Sequence, residues 1–388
     1  MFPRSIRLLV TAALVSTAGC SSAIDVSVTD DEQTPVVSAN TPLPPTSLAP
    51  GTTRSSPTTG ASPTDASSTE PRQRRPITLG FGGDTSFTDG LDRRDPFGQV
   101  VDLLRAPDLM VVNLETAVAD PGVGGAPVAK PFLFRSPPEA LDLLVAAGID
   151  AVGLANNHTL DFGPDALAQM LRELDDRGIQ RVGAGLDQEA AYVPLIVEVG
   201  DWTVGLVSLS RVPCDWSASG ENVRPQVAWA CPPFQDLAEE MISQATAAAD
   251  VTVVMVHGGE EGVLCPSPFM VELRARWAEL GVDLVVDGHP HVVQGVTSIG
   301  STMIAHSSGN FAFPSARGVT ANSALFLFDI TETDRTLRIE PLRADGGILR
   351  IPTDDERAAI IDQINRVSTG WQFDDDGVAR VDPEVDGC

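Results

Sequence analysis

From Pro76 onward the chain alternates short apolar runs, rich in β-branched residues, with longer stretches whose apolar positions recur every three to four residues. The first pattern predicts buried strands and the second amphipathic helices. Strands are predicted at Ile77 to Phe81, Leu109 to Val112, Ala151 to Leu154, Val193 to Val199, Thr203 to Leu209, Val251 to Val256, Leu284 to Val286, Thr302 to Ala305 and Ala324 to Ile330. Helices are predicted over Phe97 to Leu104, Pro138 to Ala147, Pro164 to Arg177, Phe234 to Ala248, Pro268 to Leu280 and Asp354 to Val367. Pro138 and Pro164 stand at helix starts, where the N–H that proline lacks has no partner to lose. Gly148, Gly178 and Gly281 stand just past helix ends, where a left-handed cap favours glycine. Alternation of this kind builds a mainly parallel sheet covered by helices, an α/β architecture. Asp201-Trp202, between two apolar runs, predicts an antiparallel hairpin within or beside that sheet.

The first 76 residues follow another pattern. Residues 1–20 carry Arg4 and Arg7, then the apolar stretch Leu8 to Val15, then the small residues leading to Ala18-Gly19-Cys20. This is the plan of an export signal, too short for a membrane span. Its end resembles a bacterial lipoprotein signal, in which Cys20 is lipidated and becomes the mature N-terminus. Thr17 stands where an aliphatic residue is usual, so simple secretion remains the second reading. Ser21 to Pro76 contains 20 Ser or Thr, nine Pro and no aromatic residue. Such a segment cannot bury enough apolar surface to offset its ordering entropy, and it reads as a disordered tether with a reach on the order of 40 Å. The expected organisation is a lipoprotein-type signal over 1–20, a linker over 21–76, a folded domain over 77–352, and a C-terminal helix with an acidic tail over 353–388. The expected location is extracytoplasmic, lipid-anchored to the bacterial cell membrane, or secreted on the second reading.

Charge narrows the partners. The 388 residues hold 26 Lys+Arg against 53 Asp+Glu, a formal charge of -27, and the excess lies wholly in the part predicted to fold. A field of that sign repels nucleic acid and anionic membrane surfaces, so contact with the membrane is expected through the lipid anchor only. Lys130 is the sole lysine. Export also bears on cysteine: with Cys20 assigned to lipid, Cys214, Cys231, Cys265 and Cys388 remain. Cys214 and Cys231 bracket a short irregular segment and are the favoured pair, which would leave Cys265 to pin the tail through Cys388. Three connectivities, or four free thiols, fit the same sequence.

In an open α/β sheet, ligands bind beyond the carboxyl ends of the strands. Five predicted strands end in groups that bind metal: Asp84, then Asn113-Leu114-Glu115, then Asn156-Asn157-His158, then His257, then His289-Pro290-His291. A single Asp in such a place is ordinarily a cap or turn residue, and a single His ordinarily structural. Here four of the five histidines in the chain fall in these segments. Asp84, Glu115, Asn157, His257, His289 and His291 therefore form one candidate metal site. Carboxylate, amide and imidazole without thiolate suit divalent Mn, Fe or Zn. Six ligands exceed the need of one catalytic ion, whereas two ions about 3.5 to 4 Å apart use them and supply Lewis acidity for an in-line displacement at phosphorus. His158, beside Asn157, is placed to act on the leaving group.

Gly83-Asp84, Asn113-Leu114-Glu115, Ala155-Asn156-Asn157-His158 with Asp161 and Gly163, His257-Gly258-Gly259-Glu260, Gly288-His289-Pro290-His291 and Ser308-Gly309-Asn310-Phe311 together resemble the CapA-type poly-γ-glutamate capsule-synthesis proteins, a branch of the calcineurin-like metallophosphoesterases. The resemblance runs over roughly residues 77 to 330. It implies a four-layer α/β sandwich, a bridging role for Glu115, ligand roles for Asp84, Asn157, His257, His289 and His291, and an acid or stabilising role for His158. Asp161 would support that loop, and Glu260 would be an outer acid or substrate contact. The sequence departs from the superfamily in three places. Its opening Asp-x-His motif is reduced to Asp84, the His257 segment lacks aromatic residues, and Ser308 replaces an expected Leu.

Three functions follow as expectations. The first is a surface-anchored metal-dependent hydrolase acting on an exported polymer or phosphoester in poly-γ-glutamate capsule synthesis or export. The second is a non-catalytic, metal-stabilised subunit among capsule synthesis and export proteins. The third is an extracytoplasmic metallophosphoesterase unrelated to capsule, which rests on analogy of fold alone.

Overall fold

The computed structural model describes residues 73–125, 130–212 and 226–388. The predicted signal with Cys20, the linker up to residue 72, and Cys214 lie outside the described residues. Strands are β1 (Ile77–Thr85), β2 (Leu109–Leu114), β3 (Ala117–Val118), β4 (Arg135–Ser136), β5 (Ala151–Gly153), β6 (Gln180–Val182), β7 (Leu195–Val199), β8 (Trp202–Ser210), β9 (Val251–His257), β10 (Leu284–Gly288), β11 (Val296–Ile299), β12 (Thr302–Ala305), β13 (Asn322–Ile330), β14 (Arg335–Asp345), β15 (Ile348–Arg350), β16 (Thr369–Phe373) and β17 (Ala379–Asp386). Helices are α1 (Val101–Leu104), α2 (Leu141–Ala147), α3 (Gly163–Asp176), α4 (Gln188–Ala191), α5 (Gln235–Ala248), α6 (Pro268–Glu279) and α7 (Asp354–Val367).

The single mainly parallel sheet expected from the sequence is in fact two mixed sheets. One has the order β15-β14-β13-β1-β2-β5-β6, the other β11-β12-β10-β9-β8-β7. Within these two sheets parallel pairing is confined to β1-β2-β5-β6 and β8-β9-β10-β12, and antiparallel strands extend both. The apolar runs of β2 and β9 are buried along their whole length, as strands covered on both faces must be. The sheets meet face to face: a methyl added at Gly153 of β5 would lie 3.0 Å from Met255 of β9. α3 packs on the first sheet, and α5 and α6 cover the second. The result is helix, sheet, sheet, helix, the four-layer sandwich that the resemblance implies.

Local expectations fail where side chains have other work. The helix predicted from Phe97 shortens to α1. Phe97 packs between Phe87 and Phe311, at ring separations of 6.2 and 6.1 Å, which commits the segment to a turn instead. The β7–β8 hairpin forms, but Val199 faces Trp202, so its turn is Gly200-Asp201 with Gly200 at φ 62°. Residues 353–388 hold α7, started by reciprocal hydrogen bonds between Thr353 and Glu356. They also hold the unpredicted hairpin β16–β17, whose turn contains the acidic run Asp374 to Asp376. Cys265 and Cys388 are disulfide-bonded across 123 residues. Cys231 is disulfide-bonded as well.

One buried ion pair sits directly behind the site. On α6, Met270, Leu273, Arg274 and Trp277 form one buried face, so the helical period delivers Arg274 to a core position. It pairs with Asp287 of β10, two residues before His289, and both side chains are essentially fully buried. Burial pushes the Asp287 carboxyl up to about 7 despite the guanidinium beside it. Arg274→Ala leaves that carboxyl uncompensated and is expected to cost about 3–5 kcal/mol, read as a lower midpoint in denaturant unfolding. A change within error of zero would mean that the pair is solvated.

Candidate metal centre

The groups singled out from strand ends converge, but from two sheets rather than one. Asp84, Asn113 with Glu115, and Asn157 with His158 come from the carboxyl ends of β1, β2 and β5. His257 and the His289-Pro290-His291 turn come from β9 and β10. Glycine makes the approach possible. A Cβ at Gly83 would fall 2.0 Å from the Gly309 carbonyl, and one at Gly288 would fall 2.3 Å from Asp84 Oδ1. His289 and His291 adopt φ of 95° and 56°, left-handed conformations that cost non-glycine residues about 1–3 kcal/mol each. The cost is offset in part by the His289 N–H, which donates to Asp84 Oδ2 at 2.9 Å.

Asp84 is fully buried and firmly held. Asn113 Nδ2 donates to its Oδ1 at 2.8 Å, and His291 Nδ1 lies 3.1 Å from its Oδ2. Burial would raise its pKa, but His291 outweighs burial and holds the carboxyl well below the usual range. Its backbone is clasped by the Ser308-Gly309-Asn310-Phe311 segment: its N–H donates to Gly309 O, and its carbonyl accepts from Phe311 N–H. Asn310 Oδ1 also lies 2.9 Å from His291 Nδ1 and so orients that ring.

Glu115 is the unusual group. It is completely buried, and neither carboxylate oxygen has a hydrogen-bond partner. His257 Nε2, His158 Nε2 and His291 Nε2 lie 3.3, 3.8 and 4.0 Å from its Oε1. Burial, then the Asp84 charge, push the carboxyl up to about 8. Burial pushes His257 down to about 4 and drives His289 far down as well. Burial opposes protonation of His291, yet Glu115 and Asp84 raise it to about 10. The His257 ring is held between Asn113 Nδ2, 3.0 Å from Nδ1, and Asn157 Oδ1, 2.8 Å from Nε2.

Buried donors of this kind, left without partners, fit a cation. Two ligand groups share Glu115: Glu115 with His257 and His289, and Asp84 with Glu115 and His291, the atoms of each lying within 4.8 Å of one another. Asn157 Oδ1, against His257, belongs with the first. The arrangement suggests divalent metal, with the carboxylate common to both groups.

His158 stands at the edge, its Nδ1 2.8 Å from Asp161 Oδ2 and its ring stacked on Phe134 at 3.9 Å. Asp161 also accepts from Phe134 N–H at 2.6 Å and pairs with Lys130. Lys130 Nζ donates to the Asn157 carbonyl at 2.6 Å and lies 3.1 Å from His158 Nδ1. The one lysine of the chain is thus spent at the candidate site. Its uniqueness was the signal, and composition alone gave that signal no position.

Glu260 is exposed, and its side chain makes no hydrogen bond or ion pair among the described residues. The acid near the site is its neighbour Glu261, grouped with His289 and His291. Glu261 stands four residues beyond His257, one position past the motif's Glu260.

Residues 69–315 match the model of the bacterial capsule synthesis protein PGA_cap family. The chain belongs to that family. A curated relative described as "Probable polyglutamine synthesis accessory protein" from Mycobacterium tuberculosis is 34% identical over 210 residues, covering 51% of this chain and 54% of the relative. The PGA biosynthesis protein CapA of Bacillus subtilis is 26% identical over 235 residues, 60% of each chain. The chain thus spans little more than half the length of the curated relatives it matches. Among solved structures, a phosphatase of Mycoplasma pneumoniae aligns with 70% of this chain and 94% of its own, at 13% identity and a TM-score of 0.44. The family membership agrees with the resemblance carried by the strand-end motifs.

Proposed function

We propose that this PGA_cap family member is a metal-dependent hydrolase that acts on an anionic exported polymer or phosphoester in capsule synthesis or export, with about two divalent Mn, Fe or Zn ions at Glu115. The proposal extends to an extracytoplasmic, lipid-anchored location and to work beside other capsule synthesis and export proteins. One observation carries it: a completely buried carboxylate with both oxygens unpartnered, set among three imidazoles. When bound, the metal supplies Lewis acidity for attack by water. The rest is work for the chain. Asn113 and Asn157 fix the His257 ring, Asn310 fixes His291, and the two sheets exclude bulk water from Asp84 and Glu115. His158 is backed by Asp161 at Nδ1 and held by Phe134, so its Nε2 faces the Glu115 side and can pass a proton to the leaving oxygen. Within a strongly acidic domain, the metal and Lys130 supply the local positive charge that an anionic substrate needs.

His158→Ala in the full chain is expected to lower kcat about 10²–10⁴-fold on a phosphodiester or on poly-γ-glutamate while leaving metal content unchanged. Wild-type protein that binds metal yet turns over neither substrate above the His158→Ala rate would favour the non-catalytic subunit. That second reading has its own support, because Ser86 stands where the opening motif has an imidazole, and its hydroxyl is 3.4 Å from Thr88 Oγ1.

A further inference from the structure

Among the His, Cys, Asp and Glu of the described residues, the cation position at Asp84, Glu115 and His291 gathers three candidate ligands, one short of a four-coordinate ion. We propose that Glu261 fills the vacancy, its carboxylate closing over His291 from the outer side as a further metal ligand of that position. The inference rests on the metal reading of the site given above.

The backbone holds Glu261 where this requires. It lies in the turn between Gly259, φ 116°, and Gly262, φ 74°. The Gly262 N–H donates to the carbonyl of Pro290, the residue between His289 and His291, at 2.8 Å. Beyond the turn, Gln294 Nε2 donates to the Val263 carbonyl at 2.6 Å, and Cys265 is disulfide-bonded to Cys388. The loop is therefore fastened to the histidine turn on one side and to the C-terminus on the other. Its carboxylate already lies within 4.8 Å of ring nitrogens of both histidines. A carboxylate satisfies Mn, Fe or Zn as an imidazole does. Unlike Asp84 and Glu115, Glu261 is exposed, so its side chain can turn inward without disturbing the core.

The test uses full-length protein stripped with chelator and titrated with Mn²⁺ by calorimetry, with metal per chain counted independently. Wild type is expected to bind two ions, one tighter than the other. In Glu261→Gln the weaker ion should bind at least about tenfold less tightly, with the tighter ion unchanged, and Glu261→Asp should recover part of the loss. Glu260→Gln, one residue away, should match wild type. Two ions bound by Glu261→Gln as tightly as by wild type would overturn the ligand role and leave the metal reading standing, as would a single ion bound equally by both proteins. No ion bound by wild type would overturn both.

Discussion

Glu115→Gln is expected to lose both metal positions at once, with binding weaker by about 100-fold or more at each, or ~3 kcal/mol per ion. No other residue is shared by the two ligand groups built on Asp84 and His257. An amide keeps the shape but offers one acceptor oxygen where the carboxylate offers two, and its NH2 presents hydrogens to a cation. The same substitution should act oppositely on the metal-free protein. Burial raises Glu115 from 4.5 to about 8, so the fold favours its protonated form. As pH rises above 4.5 the unfolded chain ionises first, and the metal-free wild type loses stability progressively until pH passes about 8. A neutral glutamine carries no such penalty. At pH 8 without metal, Glu115→Gln should melt at or above the wild-type temperature. With excess metal the order should reverse, since a ligand at a thousand times its Kd stabilises by about 4 kcal/mol. Thermal melts with and without chelator check both halves. A variant less stable in both conditions would mark Glu115 as a structural residue.

Metal binding should also release protons, with an affinity that climbs with pH. Near neutrality the metal-free site holds a proton on Glu115, raised to about 8, and another on His291, raised to about 10. A divalent ion needs both groups deprotonated. Up to about two protons should therefore leave in all as the two positions fill, one from the shared Glu115 and one from His291, and apparent affinity should rise steadily between pH 6 and 8. Calorimetry in buffers of different ionisation enthalpy measures the release directly. Heats independent of buffer, with affinity flat across that range, would mean that the ion binds elsewhere. His257, lowered to about 4 by burial, is already neutral and contributes nothing to this count.

Much of the site was legible because strand ends are marked twice, once by the close of an apolar run and once by a polar group. Asp84, Glu115, Asn157, His257, His289 and His291 all stand at such boundaries, so pattern alone gathered them. Strand pairing was not legible, because a buried apolar run looks the same in either sheet, and the five strand ends divide between two. β14 escaped notice for a different reason. It buries Leu337, Ile339, Leu342 and Ala344 but intersperses them with the half-buried Arg338, Glu340 and Arg343, so no continuous apolar run announces it. Side chains that support the site from outside the strand ends were harder still. Phe134 and Lys130 reach His158 from a loop whose pattern predicts nothing. Arg274 occupied a core position of a helical stripe, where an arginine signals a buried partner.

Everything proposed for the site depends on cations gathered around Glu115. Crystals grown with Mn²⁺ and measured on both sides of its absorption edge test this most directly. Two anomalous peaks are predicted, one among Glu115, Asn157, His257 and His289, the other beside Asp84, Glu115 and His291. A fully loaded crystal with no peak in contact with Glu115 would contradict the account.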